Sequence, residues 1–219
     1  VAMLQYLRDE EAGLNTASFI SGYRGSPMHN IDKELWRANR FLAEKALHFI
    51  PGINEDLAAT ACLGTQQSAM YGDGTHDGVF AMWYGKGPGL DRSIDAVRHA
   101  NMHGSSKHGG VLVVVGDDHA MKSTDVPAAC ETMFADMQMP FLYPSSVQEI
   151  IDFGLLGWAL SRFSGAWTGF KIVADTVDAA APVDGDPHRL QITRPDFVFP
   201  DDGVHIRAGD RWLLQEPRL

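Results

Sequence analysis

The chain has 219 residues, 45% of them hydrophobic, enough for one sizeable core and a small appendage. Its 28 acidic against 18 basic residues give a formal charge of −10 with no basic stripe, which argues against nonspecific nucleic-acid binding. No apolar run is long enough to span a bilayer, and the two cysteines, Cys62 and Cys130, fit a reducing, cytoplasmic setting and are too few for a four-cysteine iron–sulfur cluster.

In chain order, Met3 to Glu11 reads as a first helix with Leu4 and Leu7 on its apolar side, ended by Gly13. Thr16 to Ser21 reads as a strand that opens into Gly22-Tyr-Arg-Gly-Ser-Pro27. Such a strand-to-loop edge is where open α/β sheets bind ligands. The glycine spacing fits neither a dinucleotide fingerprint nor a phosphate-binding P-loop, and Ser26-Pro27 also suits a plain turn. Ile31 to Ala46 has helical spacing, and Leu47 to Ile50 is a short strand before Pro51-Gly52.

The stretch Gly52-Ile-Asn-Glu-Asp-Leu-Ala58 then starts a helix. Asn54 can cap it, and Glu55 and Asp56 fall in the first turn, where free N–H groups favour negative charge. The small residues that follow predict a buried helix whose faces let another element come close. From position alone, Glu55 is either a helix-start carboxylate facing water or a functional acid.

Tyr71 to Gly78 is a turn-rich loop, and Val79 to Tyr84 a buried strand. It runs into Gly85-Lys-Gly-Pro-Gly-Leu-Asp-Arg92, a loop before a helix over Ser93 to His103, where Lys86 and backbone amides can grip a polar ligand or merely turn the chain. Gly109 to Gly116 is the strongest central-strand signal, rich in β-branched valine, which predicts a strand covered on both faces. Asp117, Asp118 and His119 end it, but sequential carboxylates diverge, so no metal is assigned. Met121 to Pro127, with Lys122 and Ser123, reads as a mobile flap, and Phe134 to Met139 as a short helix and its exit. Pro140 to Tyr143 is a strand, Ser146 with Gln148 and Glu149 starts an apolar helix, and Gly169 to Ala174 is a further strand.

This alternation predicts an α/β domain over residues 1–180, a mostly parallel sheet with helices on both faces. Residues 181–219 read as a turn-rich extension or crossover arm, with a short strand over Arg189 to Thr193. The chain starts at Val1 without Met and stops in Gln215-Glu-Pro-Arg-Leu219, so it reads as a piece of something longer.

Five motifs occur in a recognisable order: Ser21 to Pro27, Asn54-Glu-Asp-Leu-Ala58, Lys86-Gly-Pro-Gly-Leu-Asp91, Gly116-Asp-Asp-His119 and Pro144 to Glu149. Together they resemble the pyrimidine-binding domain of thiamine-diphosphate-dependent 2-oxoacid:ferredoxin oxidoreductases, of the large indolepyruvate ferredoxin oxidoreductase type. The resemblance covers nearly the whole chain, Arg207 and residues 215–219 included. It implies the thiamine-diphosphate-binding fold, and a chain that is the amino-terminal part of a much larger enzyme.

By that resemblance Glu55 is catalytic and binds the cofactor, its carboxyl bonded to the thiamine aminopyrimidine so that the ring nitrogen can take the thiazolium proton. Burial would favour its protonated form and the helix start its anion. Lys86, Gly87 and Gly89 are implied at the cofactor, and Tyr23, Arg24, Ser26, Lys122 and Ser123 at the 2-oxoacid. The family has longer segments near Met28-His29 and after Lys122, which predicts mobile loops beside the site. Mg²⁺ and the diphosphate would be held mainly by a diphosphate-binding domain of the same or a neighbouring chain. Iron–sulfur clusters, coenzyme A and ferredoxin belong to the full enzyme, expected as a homodimer with apolar surface at the cofactor face. The alternatives are another thiamine-dependent decarboxylase or synthase, and a nonenzymatic α/β interaction domain.

Overall fold

The computed structural model describes residues 1–68 and 70–208; the terminal residues 215–219 of the resemblance lie outside them. Strands β1 (Thr16–Gly22), β2 (Leu47–Phe49), β3 (Gly78–Lys86), β4 (Val111–Asp117), β5 (Phe141–Leu142) and β6 (Thr168–Val173) form one sheet in the order β2-β1-β3-β4-β6-β5. Every pairing is parallel. The fold expected from the alternation is the fold found.

The helices are α1 (Ala2–Glu11), α2 (Ile31–Ala43), α3 (Glu55–Gln67), α4 (Gly87–His103), α5 (Cys130–Asp136), α6 (Val147–Ser164) and α7 (Ala174–Val177). Period-two alternation along the central strands feeds two cores. Ala81, Trp83, Val111, Val113 and Val115 point to one face and pack on Ala58, Cys62, Leu90, Val97 and Phe134 of α3, α4 and α5. Phe80, Tyr84, Leu112, Val114 and Phe170 point to the other and meet α2 and α6 through Ile31, Leu35, Ile150 and Trp158. Strand β4 is buried at every position, which is why its sequence is a continuous apolar run.

Four local expectations are corrected. The buried face of α1 carries Gln5 and Asp9, not Leu4 and Leu7. The Asp9 carboxylate accepts from Arg162 Nη1 at 2.7 Å and Nη2 at 2.8 Å, from Gln5 Nε2 and from Thr16 Oγ1. Arg162 also donates through Nε to the Gly109 carbonyl at 2.8 Å. This pair locks α1 and α6 together across the start of the sheet, so Asp9→Ala is expected to lower stability by about 3 kcal/mol or more, measured by chemical denaturation.

Helix α4 begins at Gly87, not Ser93, because Pro88 in a first turn gives up an N–H that has no intrahelical partner anyway. Helix α5 starts four residues before Phe134, where the Asp117 carboxylate accepts from the Cys130 N–H at 3.0 Å. Residues 189–193 form no strand: Arg8 Nη1 reaches over to the Pro187 and Leu190 carbonyls, and Arg189 pairs with Asp152, holding the segment against helices instead of a sheet edge. Farther along the extension, residues 205–206 return to the body, where the Ile206 N–H donates to the Ser105 carbonyl and His205 Nε2 meets the Arg162 carbonyl at 2.7 Å. Among the described residues, no helix is long and apolar enough to cross a membrane.

Candidate active site

The chain leaves β1 to build β2 on one side and β3 on the other, so the strand order switches direction between β1 and β3. A crevice opens at the carboxyl ends of strands at such a switch. The loop after β1 and the end of β3 meet there: the Tyr23 N–H donates to the Tyr84 carbonyl at 3.1 Å, and Gly25 lies against the aliphatic part of Lys86. Tyr23 and Arg24 are exposed and Ser26 half-buried, so all three side chains line this edge without being consumed by the core.

The segment after β2 is tied to the same edge. Ile50 and Gly52 donate their N–H groups to the Ile20 and Gly22 carbonyls. A side chain at position 52 would collide with the Asn54 carbonyl and the Ala58 methyl, so glycine is what lets the chain turn this tightly into α3. Asn54 caps that helix as expected, its side chain accepting from the Leu57 N–H at 2.9 Å.

Glu55 is the first residue of α3, half-buried, with its backbone carbonyl held by the Trp83 indole N–H at 3.0 Å. Its side chain crosses to the first turn of α4, where a β-carbon on Gly89 would sit 2.9 Å from Glu55 Cγ and 3.0 Å from Oε1. No hydrogen bond or ion pair among the described residues occupies its carboxyl. Asp56 beside it pairs with Arg92, a surface contact worth little. The Glu55 carboxyl is therefore rigidly carried and chemically free.

Around it the surface is apolar. Ile50, Ile53 and Leu57 are exposed, Ile53 by 84%. Helix α3 is buried only along Ala58, Ala59, Cys62 and Gln66; Leu57, Thr60, Ala61 and Gly64 form an open face, which corrects the expectation of a helix buried throughout.

Gly87 and Lys86 have different surroundings. Gly87 is buried against the Ala128 methyl and Asp117 Oδ1, so the close approach that glycine permits is used internally. Lys86 is half-buried beside Gly25. Lys122 and Ser123 sit over β4: the Ser123 N–H and hydroxyl donate to Asp118 Oδ2 at 2.7 and 3.0 Å. Burial opposes ionisation of Asp118, but these bonds, with the Lys122 N–H and charge, outweigh it and hold the carboxyl below its ordinary range. Among the described residues, no hydrogen bond or ion pair joins Lys122 or Ser123 to Glu55 or to the Tyr23–Ser26 edge.

A cluster under this flap was missed in the sequence. Lys171, buried in β6, lies 3.4 Å from Asp117 Oδ2, hydrogen-bonds Glu131, and stands 4.9 Å over the Tyr143 ring. Burial disfavours its charge, but the Glu131 bond and the Asp117 carboxylate outweigh it and raise its pKa. Glu131 is held low by the same lysine, against its own desolvation, and burial pushes the Cys130 thiol up. Asp117, Cys130 and Glu131 have the spacing of metal ligands, but the Lys171 ammonium is the cation of this group. Asp117 and Asp118 thus face different partners. A lone lysine inside Gly-Phe-Lys-Ile-Val was the available signal, because a cation in a strand covered on both faces needs a carboxylate.

No protein-family model matches the chain, and no curated protein is detectably similar in sequence. Two solved structures are similar in fold. The 2-oxoglutarate:ferredoxin oxidoreductase of Magnetococcus marinus, solved with 2-oxoglutarate, coenzyme A and succinyl-CoA bound, has 18% identity and a TM-score of 0.58, over 80% of this chain and 28% of that one. The thiamine diphosphate-dependent 4-hydroxybenzoylformate decarboxylase of Rhodococcus jostii RHA1 has 12% identity and a TM-score of 0.54, over 91% of this chain and 35% of that one. The chain has their fold. It spans about a third or less of the length of either protein.

The residues at the switch-point edge fit half of a thiamine site. A bound aminopyrimidine needs a carboxyl with no internal partner and an apolar surface for its ring, and Glu55 with Ile53 and Leu57 offers both. Among the described residues, no cluster of potential metal ligands lies at this edge.

Proposed function

We propose that this chain is the pyrimidine-binding part of a thiamine-diphosphate-dependent 2-oxoacid oxidoreductase, and that Glu55 holds and protonates the aminopyrimidine. The observation that carries the reading is the Glu55 carboxyl: seated on Gly89, fixed through its own carbonyl by Trp83, and free of any other partner among the described residues. When bound, thiamine diphosphate supplies the carbanion centre that adds to a 2-oxo carbon. Glu55 would keep a proton shared with the ring nitrogen, and the exposed Ile53 and Leu57 would exclude water around that bond. Tyr23, Arg24 and Ser26 would orient the 2-oxoacid, with Arg24 facing its carboxylate. Lys86 would approach from the end of β3.

In this reading the whole protein converts an aryl 2-oxoacid such as indolepyruvate, with coenzyme A, into an acyl-coenzyme A and carbon dioxide. The two electrons released leave through iron–sulfur clusters to ferredoxin, and the thiol proton is released to solvent. Mg²⁺ and the diphosphate would be held by another domain of the same or a neighbouring chain. Homodimerisation and a cytoplasmic setting belong to the same proposal.

The second reading, a nonoxidative thiamine-dependent decarboxylase, is favoured by the fold likeness to the Rhodococcus enzyme. One assay separates the two. The intact gene product carrying this chain is given thiamine diphosphate, Mg²⁺ and indolepyruvate, with and without coenzyme A and ferredoxin. Coenzyme A-dependent ferredoxin reduction is the expected result; carbon dioxide and aldehyde without reduction would favour the decarboxylase. Turnover by the isolated 219-residue chain would defeat the half-site account.

A further inference from the structure

At the opposite edge of the sheet, before the starts of β1 and β4, a cavity of about 500 Å³ lies beneath the extension. The extension is held down on both sides of it, by Arg8 and Asp152 near residues 187–190 and by Ser105 and Arg162 at residues 205–206. Between those ties it bridges over the space instead of filling it.

The lining brings basic side chains together from three elements: Lys107 and His108 from the loop before β4, Arg162 from α6, and Arg194 from the extension. Among the described residues, no carboxylate lines this cavity. Arg162 is neutralised by Asp9, but Lys107 and Arg194 have no ion pair among the described residues. Burial, then Lys107 and Arg162, depress the pKa of His108, while Asp77 and Asp9 act weakly the other way. In a chain with a formal charge of −10, two cations without an ion pair beside a concave site, Lys107 and Arg194, mark a place that attracts an anion.

The cavity also has an aromatic wall. Phe163 and Phe199 line it, edge to face with centroids 5.3 Å apart, and Phe197 completes the trio. Phe199 keeps 41% of its surface exposed, so ring surface is available to a second flat group. The volume suits a ligand of the size of a nucleoside monophosphate.

We propose that this cleft binds an aromatic anion, its ring on Phe163 and Phe199 and its charge between Lys107 and Arg194. A nucleotide and an aryl carboxylate share that chemistry, and the test separates them. Calorimetric titration of the intact gene product uses AMP and indole-3-acetate, with adenosine and inorganic phosphate as the separate halves of AMP. Saturable binding of AMP or of indole-3-acetate at one site per chain is expected, with any binding of the separate halves at least about tenfold weaker. AMP alone would identify a nucleotide, and indole-3-acetate alone an aryl acid. Arg194→Glu and Phe199→Ala should each weaken binding at least about tenfold without changing 2-oxoacid turnover in the absence of the ligand. The proposal is overturned if neither anion binds, if both variants bind normally, or if Glu55→Gln abolishes the binding instead. That last variant separates this cleft from the thiamine site.

Discussion

Glu55→Gln in the intact protein lowers 2-oxoacid turnover by more than about a hundredfold, while the chain stays folded. Glutamine keeps the length and polarity of the side chain but cannot hold an exchangeable acid proton against the pyrimidine ring. Because the Glu55 carboxyl has no hydrogen-bond or ion-pair partner among the described residues, stability should change by no more than about 0.5 kcal/mol. The backbone bond from Trp83 is untouched by the substitution. Steady-state kinetics and thermal unfolding of the same preparation check both halves. Near-normal turnover would leave Glu55 as a surface carboxylate at a helix start.

Gly89→Ala gives the second large effect, and it separates position from chemistry. The new methyl would stand 2.9 Å from Glu55 Cγ and 3.0 Å from Oε1, closer than nonbonded atoms tolerate. What yields is a flexible side chain, so the fold accommodates the change. Alanine in a first helical turn is also at least as favourable as glycine, by up to about 1 kcal/mol. The carboxyl is displaced, however, and a shift of about 1 Å in a catalytic group is worth about a hundredfold in rate. The expected variant unfolds no earlier than the parent and turns over about ten- to a hundredfold more slowly. Unchanged turnover would mean that the position of Glu55 against α4 does not matter.

The fold was legible because burial on both faces leaves a plain mark. The run Val111 to Val115 can only be a central parallel strand, and the Asn54 cap and the Ser146 cap, whose hydroxyl accepts from the Glu149 N–H at 3.2 Å, lie where short polar side chains precede apolar periodicity. The glycine-rich stretch before Ser93 reads as loop because glycine and proline usually break helices, whereas here they make a first turn. Burial of α1 departs from its local pattern for a different reason: the charge on Asp9 is balanced by Arg162, 153 residues away, a partner that local periodicity cannot reveal. The same limit hid the Lys171 cluster, assembled from β4, α5 and β6.

At the site, Glu55 stood out as a helix-start acid, and the resemblance gave it a role. Its seat on Gly89 and the indole bond from Trp83 depend on the way α3, α4 and β3 converge, which only the three-dimensional arrangement displays. The resemblance groups Lys122 and Ser123 with Tyr23, Arg24 and Ser26 as substrate contacts. The structure holds Ser123 on Asp118 at the end of β4, one strand beyond β3.

The most direct measurement is a structure of the intact protein with thiamine diphosphate bound. The Glu55 carboxyl should be within hydrogen-bonding distance of a pyrimidine ring nitrogen, with Ile53 or Leu57 against the cofactor or its second domain. A pyrimidine bound elsewhere, with Glu55 facing water, would contradict the account at its centre.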